Sequence, residues 1–383
     1  MIIERIFNLV DEESFFLFGP RGTGKTTWVR AHYPEAVYID LLNSDIRDQL
    51  TAHPQQLVNF ISKSNKKWVI IDEIQFVPAL LNEVHRLIFG QKQKFILTGS
   101  SARTLRRKDV NLLGGRAETR MFHPLTAVEL GSRFDLLKSL QYGQLPLAYL
   151  RKNPKAYLRS FIHYLKNEVK QEGLTRNIGG FSRFLEIASF SQGGVLNYTE
   201  IAREASIDRM VVMSYFDILE DLLVGVRLPV FTKKAKRRLI SHNKFFYFDV
   251  GVYRTIRPQG PLDTTDTIPG AALETLVLQE LCAINDALDL GYEIFFWRTA
   301  NEEEVDFVLY GKRGLMAIEV KSSMRVNSDM FRGLKPFKKD YPVAKCFLVY
   351  GGDRREYRGD MEVVGVTGFL KNLPQILRGE AKK

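Results

Sequence analysis

The chain has 383 residues, of which 45% are hydrophobic and 26% charged, a composition that is typical of globular proteins and excludes a disordered chain. This length suits two or three domains, and no apolar run approaches the roughly 20 residues of a membrane span, so no membrane partner is expected. The net charge is +11, and its excess lies in residues 151–260, where 19 Lys and Arg face 10 Asp and Glu; a segment so basic attracts polyanions such as nucleic acid.

The order of patterns predicts an α/β protein with three domains. Residues 1–130 alternate apolar strands with helices, residues 131–260 are mainly helical, and residues 261–383 return to an α/β pattern after a stretch rich in Pro, Gly, Thr and Asp. The N-terminus lacks the basic start and unbroken apolar run of a signal peptide, and the chain has two cysteines, so a cytoplasmic location is expected.

Four short apolar runs predict the strands of the first domain. They are Phe15–Phe18, Ala36–Ile39, Trp68–Ile71 and Phe95–Thr98. Because helical or polar stretches separate them, the expected arrangement is a parallel sheet covered by helices.

A glycine-rich loop follows the first of these strands and precedes a helix. Its letters GPRGTGKTT match the spacing G-x-x-x-x-G-K-[ST], which predicts a P-loop NTPase sheet with an ATP and Mg²⁺ site. Glycines let successive N–H groups face the phosphates at the positive end of the helix. Lys25 is expected to contact the β- and γ-phosphates, and Thr26 the Mg²⁺. The predicted nucleotide-binding residues are Gly19, Pro20, Arg21, Gly22, Thr23, Gly24, Lys25, Thr26 and Thr27.

Two acids follow the third strand, in WVIIDEIQ. Ligands bind at the carboxyl ends of parallel strands, so we expect Asp72 to hold the Mg²⁺ and Glu73 to polarise the attacking water. The fourth strand ends in LTGSS, where Ser100 or Thr98 is predicted to sense the γ-phosphate or to cap a helix. Arg116, behind two glycines, either stabilises transition-state charge across a subunit interface of a homo-oligomer or is a solvated arginine.

The segments GPRGTGKTT, IIDEIQ, ILTGSS and LLGGRAETRMFHPLTAVEL resemble the AAA-family (AAA+) ATPases of bacteria and archaea that carry a C-terminal domain of unknown function. The resemblance implies an enzyme that hydrolyses ATP, with roles for Lys25, Thr26, Asp72, Glu73 and Arg116. Many AAA+ proteins have an asparagine at the end of the sensing strand, where this chain has Ser100.

A helix-turn-helix is predicted in residues 197–231, and it makes the middle domain winged-helix-like. Thr199 and Asp208 are expected to cap the two helices, and Val211, Val212, Tyr215 and Leu219 to face the core. The strands that follow would flank a wing that contacts DNA phosphates, although winged helices also dock proteins. The basic residues of that wing are Lys233, Lys234, Lys236, Arg237 and Arg238.

The last domain combines acids and a lysine on a predicted helix and two strands. In EVDF and IEVK, alternation places Asp306 on one face of its strand, and Glu319 and Lys321 together on one face of theirs. Glu274 lies on the apolar face of the preceding helix, where a carboxylate needs a partner or a metal. The predicted metal ligands are Glu274, Asp306 and Glu319, and Lys321 is expected to orient water or to stabilise a pentavalent phosphate.

These four residues and the order helix, strand, strand, strand resemble the PD-(D/E)xK restriction-endonuclease-like fold. The resemblance implies a nuclease site, and a salt-bridge network that has lost cleavage is the alternative. Two hypotheses therefore stand: an ATPase that couples its nucleotide state to DNA through winged-helix and nuclease-like domains, and an ATP-switched DNA- or protein-binding module whose nuclease-like domain is inactive.

Overall fold

A computed structural model describes residues 3–7, 13–62, 66–101, 117–235, 237–240, 242–258 and 270–380. Within these ranges the chain forms two compact units. The N-terminal unit contains Phe7–Pro124 with Asp221–Leu223, and the second unit contains Leu125–Glu220 and the chain from Val224 onward, together with the first few residues. Arg116 and Lys236, singled out in the sequence, lie outside the described residues.

The N-terminal unit is built on a five-stranded parallel sheet in the order β2-β3-β4-β1-β5. The central strands are buried on both faces, which is why they appear in the sequence as continuous apolar runs. The four predicted strands and their parallel arrangement are confirmed; β5, more polar and at the edge, was not predicted. The strands are β1 Ser14–Phe18, β2 Val37–Asp40, β3 Trp68–Asp72, β4 Lys94–Gly99 and β5 Ala117–Met121.

Helices join β1 to β2, β2 to β3 and β3 to β4, as parallel pairing requires. Side chains of α2, α3 and α4 pack with one face of the sheet, whereas Trp28 and Val29 of the first helix join a cluster with Phe15, Ile70 and Ile96. The helices are α1 Lys25–His32, α2 Ser44–Ala52, α3 Leu57–Ile61 and α4 Leu80–Gln91, with 3₁₀ turns at Pro54–Gln56 and Ile74–Phe76.

The second unit begins with helices and one β-hairpin. The hairpin pairs β6 Gly225–Leu228 with β7 Lys244–Tyr247 in antiparallel fashion. The helices are α5 Ala127–Leu130, α6 Leu136–Tyr142, α7 Pro146–Leu150, α8 Pro154–Gln171, α9 Ile178–Phe190, α10 Tyr198–Ala205, α11 Arg209–Asp221 and α12 Val250–Ile256.

The two helices expected in this segment are present as α10 and α11, with two corrections to the predicted residue roles. Asn197, not Thr199, caps α10, because its side chain accepts from the Glu200 N–H; Asp208 accepts from the Met210 N–H as expected. Val211 does not face the core and is 37% exposed. The buried face of α11 contains Val212, Tyr215 and Leu219, as predicted.

The chain ends in a six-stranded mixed sheet of order β12-β13-β11-β10-β9-β8. Strand β11 is parallel to both of its neighbours, and the other pairs are antiparallel. The strands are β8 Glu293–Arg298, β9 Glu304–Gly311, β10 Gly314–Lys321, β11 Lys345–Tyr350, β12 Arg355–Arg358 and β13 Met361–Gly365. The helices are α13 Gly270–Ala287, α14 Leu334–Asp340, α15 Val366–Lys371 and α16 Leu373–Arg378.

The segment predicted as a wing, between β6 and β7, packs on this sheet. Val230 forms a parallel bridge with Phe296, and Leu239 an antiparallel bridge with Thr299. The ring of Phe231 is fully buried among Phe295, Tyr310, Phe337 and Tyr341. An apolar anchor of this size draws the segment onto the sheet.

Candidate functional site

The glycine-rich loop runs from the end of β1 to the start of α1 and has the backbone that its glycines permit. Gly22 and Gly24 have φ of 82° and 96°, in the left-handed region that L side chains rarely adopt. A Cβ at Gly19 would collide with the carbonyl oxygen of Phe122. Of the predicted nucleotide-binding residues, 19–24 therefore form the bend and 25–27 begin helix α1.

The side chain of Lys25 reaches back into this bend. Its Nζ donates to the carbonyl oxygens of Gly19 at 2.6 Å and Pro20 at 3.2 Å, and the residue is buried. Thr23 Oγ1 also donates to Pro20, at 2.9 Å. The ammonium group is thereby placed inside the curve of the loop, where a phosphate would meet it together with the N–H groups of the loop.

Asp72, at the end of β3, accepts hydrogen bonds from three hydroxyl groups. Thr26 Oγ1 donates to Oδ2 at 2.9 Å, Tyr38 also donates to Oδ2, and Thr98 donates to Oδ1. A carboxylate and a threonine hydroxyl side by side are the hard oxygen ligands that Mg²⁺ prefers. Thr26 and Asp72 thus fit the predicted Mg²⁺, and they would hold it at the carboxyl edge of the sheet.

Tyr38 is a site residue that the sequence analysis missed. It lies on β2, next to β3, and Arg30 covers its ring with Cζ 3.9 Å from the centroid. Burial, followed by the hydrogen bond to Asp72, raises the pKa of Tyr38 well above its ordinary value, so the hydroxyl stays a donor. The sequence places Tyr38 near the end of a predicted strand, but only the pairing of β2 with β3 in the structure brings it to Asp72.

Glu73 follows Asp72 in a left-handed backbone conformation with φ of 61°. Its Oε2 accepts from Gln75 Nε2 at 2.5 Å and from the Ser100 N–H and Oγ at 3.2 and 3.1 Å, while Thr98 Oγ1 accepts from the Glu73 N–H at 3.2 Å. Of the two sensor candidates, Thr98 therefore contacts Asp72, and Ser100 contacts the side chain of Glu73. The sequence analysis also missed Gln75, which lies two residues after Glu73 in the segment DEIQ.

The C-terminal acid cluster consists of Glu274, Glu304, Asp306, Glu319 and Lys321. Asp306 Oδ2 accepts from the Val320 N–H at 2.8 Å, next to Glu319, and Lys321 Nζ lies 2.5 Å from Glu319 Oε1. Asp306, Glu319 and Lys321 are therefore brought together, because their strands β9 and β10 are neighbours. Glu304, two residues before Asp306 on the same strand, was not predicted; its Oε2 pairs with Arg298 at 3.2 Å.

The carboxylates of this cluster affect one another electrostatically. Burial, and then the negative charge of Asp306, raises the pKa of Glu274 to about 8. The same two causes raise the pKa of Glu319 well above its ordinary value. Such shifts indicate acids that share one poorly solvated volume.

Lys244, on β7, faces the same cluster from the middle of the chain. Its Nζ forms an ion pair with Glu304 Oε1 and lies 3.8 Å from Asp306 Oδ1. Burial opposes its charge, but Asp306, Glu274 and Glu304 outweigh burial and raise the pKa of Lys244. Across the described ranges, no group of three or more His, Cys, Asp or Glu side chains is placed to hold a metal ion. With a lysine against these carboxylates, the cluster as it stands does not fit a divalent cation.

Two of the basic residues assigned to the wing form ion pairs with the last sheet and its helix. Lys233 pairs with Glu293 at 2.6 Å, and Arg237 pairs with Asp340 at 2.6 Å and Glu303 at 3.1 Å. Their charges are therefore already countered by carboxylates. Lys234 and Arg238 are exposed.

Comparison with known proteins gives three matching segments. Residues 11–131 match the AAA domain, residues 133–263 match a domain of unknown function, DUF8612, and residues 269–369 match another, DUF4143. A protein of Haemophilus influenzae described as "Uncharacterized protein" is 22% identical over an alignment of 339 residues, with 82% of this chain and 81% of that protein covered.

These matches confirm the resemblance to AAA-family ATPases with a C-terminal domain of unknown function. An AAA domain implies nucleotide binding, typically with Mg²⁺, and points to an ATPase-type enzyme. Among the helices of the described residues, none combines the length and apolar character needed to cross a membrane.

Proposed function

We propose that the N-terminal unit binds ATP with Mg²⁺ and hydrolyses it. The observation that carries this proposal is the direct hydrogen bond of Thr26 with Asp72, beside a glycine loop that holds the Lys25 ammonium inside its curve. Asp72, 46 residues further along the chain, thus meets Thr26 beside Lys25, where a triphosphate and its metal would lie.

Each side chain has a distinct task in this mechanism. The loop N–H groups and Lys25 bind the phosphates, and Thr26 and Asp72 hold the Mg²⁺, which neutralises charge on the phosphates when bound. Glu73 orients and polarises the attacking water, while Gln75 and Ser100 fix the direction of its carboxylate. Arg116 is proposed to stabilise transition-state charge, in a homo-oligomer if its target is a neighbouring subunit.

Lys25→Ala tests the nucleotide site. We expect ATP affinity to fall by about 10-fold to 100-fold, because a charge-assisted contact to phosphate contributes about 1.5–3 kcal/mol. Isothermal titration with Mg²⁺–ATP measures the affinity, and Lys66→Ala, an exposed lysine of the same unit, is the matched control. Equal affinity in the wild type and Lys25→Ala would contradict the assignment.

The ATPase is further proposed to act on DNA through the helix pair α10 and α11. Arg203 and Arg209 are exposed on this pair, in the segment with the largest basic excess. The wing contributes less, because Lys233 and Arg237 are engaged by acids. Met210, 67% exposed at the start of α11, is the feature that favours the alternative, a protein partner.

Replacing both exposed arginines by alanine distinguishes a DNA partner from a protein partner. Arg203→Ala with Arg209→Ala should lower DNA affinity and reduce the slope of log affinity against log salt by about 2, since each lost phosphate contact removes roughly 0.9. Lys312→Ala with Arg313→Ala removes the same charge from the exposed β9–β10 turn and should leave the slope unchanged. Fluorescence anisotropy at several salt concentrations measures both; a parent protein that binds no DNA favours protein docking.

For the C-terminal acid cluster, the sequence leaves open a metal-dependent nuclease site and an inactive network. The ion pair of Lys244 with Glu304 supports the inactive network. We therefore include a nuclease-like but non-cleaving domain in the proposed function.

A further inference from the structure

Helix α8 has one face buried in the second unit. It packs against α7, α9 and α12, and the ring centroids of Phe161 and Phe248 lie 6.0 Å apart. Its buried apolar residues are Leu158, Phe161, Leu165 and Val169. Because these contacts fix how the helix is turned, the opposite face is left to solvent.

The solvent face of α8 is basic along its whole length. Residues 151–171 contain six Lys and Arg and a single acid, Glu168, which is buried. At about 100° and 1.5 Å per residue, the basic side chains of the helix fall within an arc of about 80° and extend over about 22 Å. These side chains, called here the α8 basic face, are Lys155, Arg159, Lys166 and Lys170, with His163 between them.

The cations of the α8 basic face are not countered by acids of the same protein. Lys155, Arg159 and Lys170 are exposed and Lys166 is half-buried, and none of the four takes part in an ion pair within the described ranges. In contrast, the wing residue Lys233 is paired with Glu293. A row of unpaired cations without intervening acids creates a positive potential that attracts anions.

The length and composition of this face favour duplex nucleic acid. A duplex carries one negative charge per about 1.7 Å of its axis, so a row of about 22 Å meets many phosphates at once. Of the described residues 151–177, none is an exposed large apolar side chain, as docking to a protein or insertion into a membrane would favour. The face also lacks an exposed aromatic ring on which the bases of a single strand could stack.

We propose that the α8 basic face binds the phosphate backbone of double-stranded DNA independently of base sequence. The inference rests on the DNA-binding part of the proposed function and deepens it. It adds four phosphate contacts to the two expected from Arg203 and Arg209 on the helix pair α10 and α11. Lys and Arg side chains supply such contacts without reading the bases.

A fourfold glutamine variant of the full chain tests this proposal. The substitutions are Lys155→Gln, Arg159→Gln, Lys166→Gln and Lys170→Gln. Glutamine keeps a helix propensity close to that of Lys and Arg and removes the charge. With a duplex of mixed sequence, the slope of log affinity against log salt should become shallower by about 3 to 4, since each lost phosphate contact removes roughly 0.9. The ratio of parental to variant affinity should therefore fall by about 100-fold between about 50 and 200 mM salt, as measured by fluorescence anisotropy.

Two further variants separate the α8 basic face from net charge and from side-chain shape. The first removes the same charge from exposed positions of the last domain and should keep the parental slope; its substitutions are Lys312→Gln, Arg313→Gln, Lys335→Gln and Lys339→Gln. The second replaces the three lysines of the α8 basic face by arginine and should also keep the parental slope. A duplex of unrelated sequence should give the same difference between parent and glutamine variant.

The outcomes distinguish this inference from the proposed function. A parent that binds duplex DNA with the same slope as the glutamine variant, whose helix content is intact by circular dichroism, would overturn the inference and leave DNA binding through Arg203 and Arg209 standing. Equal losses in the glutamine variant and the last-domain control would also overturn it. A parent that binds no duplex DNA would contradict both. If the fourfold variant does not fold, Lys155→Gln with Arg159→Gln and Lys166→Gln with Lys170→Gln are measured separately, and each pair should reduce the slope by about 2.

Discussion

Glu73→Gln is expected to slow ATP turnover by about 100-fold to 1,000-fold, within the range that a lost general base costs. The amide keeps the size of the side chain and its contacts with Gln75 and Ser100, but it cannot accept a proton from water. ATP affinity should change by less than about threefold, because Glu73 does not line the phosphate loop. Steady-state phosphate release and nucleotide titration measure the two quantities separately.

The control for this prediction is Glu35→Gln, an exposed acid of the same unit that should retain full turnover. Turnover of Glu73→Gln equal to that of the control would remove Glu73 from the mechanism. If ATP affinity fell by the same factor as turnover, Glu73 would instead be assigned a role in ATP binding.

Glu280→Gln is expected to remove a large part of the pH dependence of stability. Glu280 is fully buried on α13, and its Oε1 accepts from the Ala127 N–H at 2.7 Å and from Gln144 Nε2 at 2.9 Å. Burial raises its pKa to about 8; these two hydrogen bonds oppose the rise, and the charge of Glu129 adds to it. A glutamine oxygen keeps both hydrogen bonds without a charge.

The sign follows from the raised pKa. An unfolded glutamate titrates near 4.5, so the contribution of Glu280 is fully present below that pH and is lost as the pH rises to about 8. Each pH unit in this window should cost the wild type about 1.4 kcal/mol of unfolding free energy relative to Glu280→Gln, on the order of 4 kcal/mol in total. The two proteins should have similar stability near pH 4.5 and differ most at pH 8.

Urea unfolding followed by Trp297 fluorescence measures this difference. Trp28 and Trp68 lie in the N-terminal unit, so their replacement by Phe leaves Trp297 to report on the second unit. Glu186→Gln, an exposed acid of the second unit, should follow the wild type at every pH. Parallel curves for the wild type and Glu280→Gln would show that Glu280 is not titrating in this window.

The nucleotide site could be predicted well because its parts are local. The bend, Lys25 and Thr26 occupy consecutive positions, and Asp72 and Glu73 end a strand whose apolar run is evident in the sequence. Tyr38 and Gln75 could not be found in this way. Tyr38 reaches Asp72 only through the pairing of β2 with β3, and no short-range pattern encodes which strands are neighbours.

In the second unit, short-range alternation correctly grouped Asp306, Glu319 and Lys321, but distant pairing decided their partners. Lys244 stands six residues after the last arginine of the basic stretch and immediately before the aromatic run FFYF, and it is among the buried polar residues. The wing lysine Lys233 is likewise countered by Glu293, far along the chain. A count of charges along the sequence contains no information about such pairs.

The burial of Phe231 among residues of the last sheet has a consequence for how this chain can change during evolution. Recombination that exchanged only the final hundred residues would leave this ring without its pocket and Lys244 without its carboxylates. We therefore expect the segments on either side of residue 263 to be inherited together, and a substitution in one to be accompanied by a compensating substitution in the other.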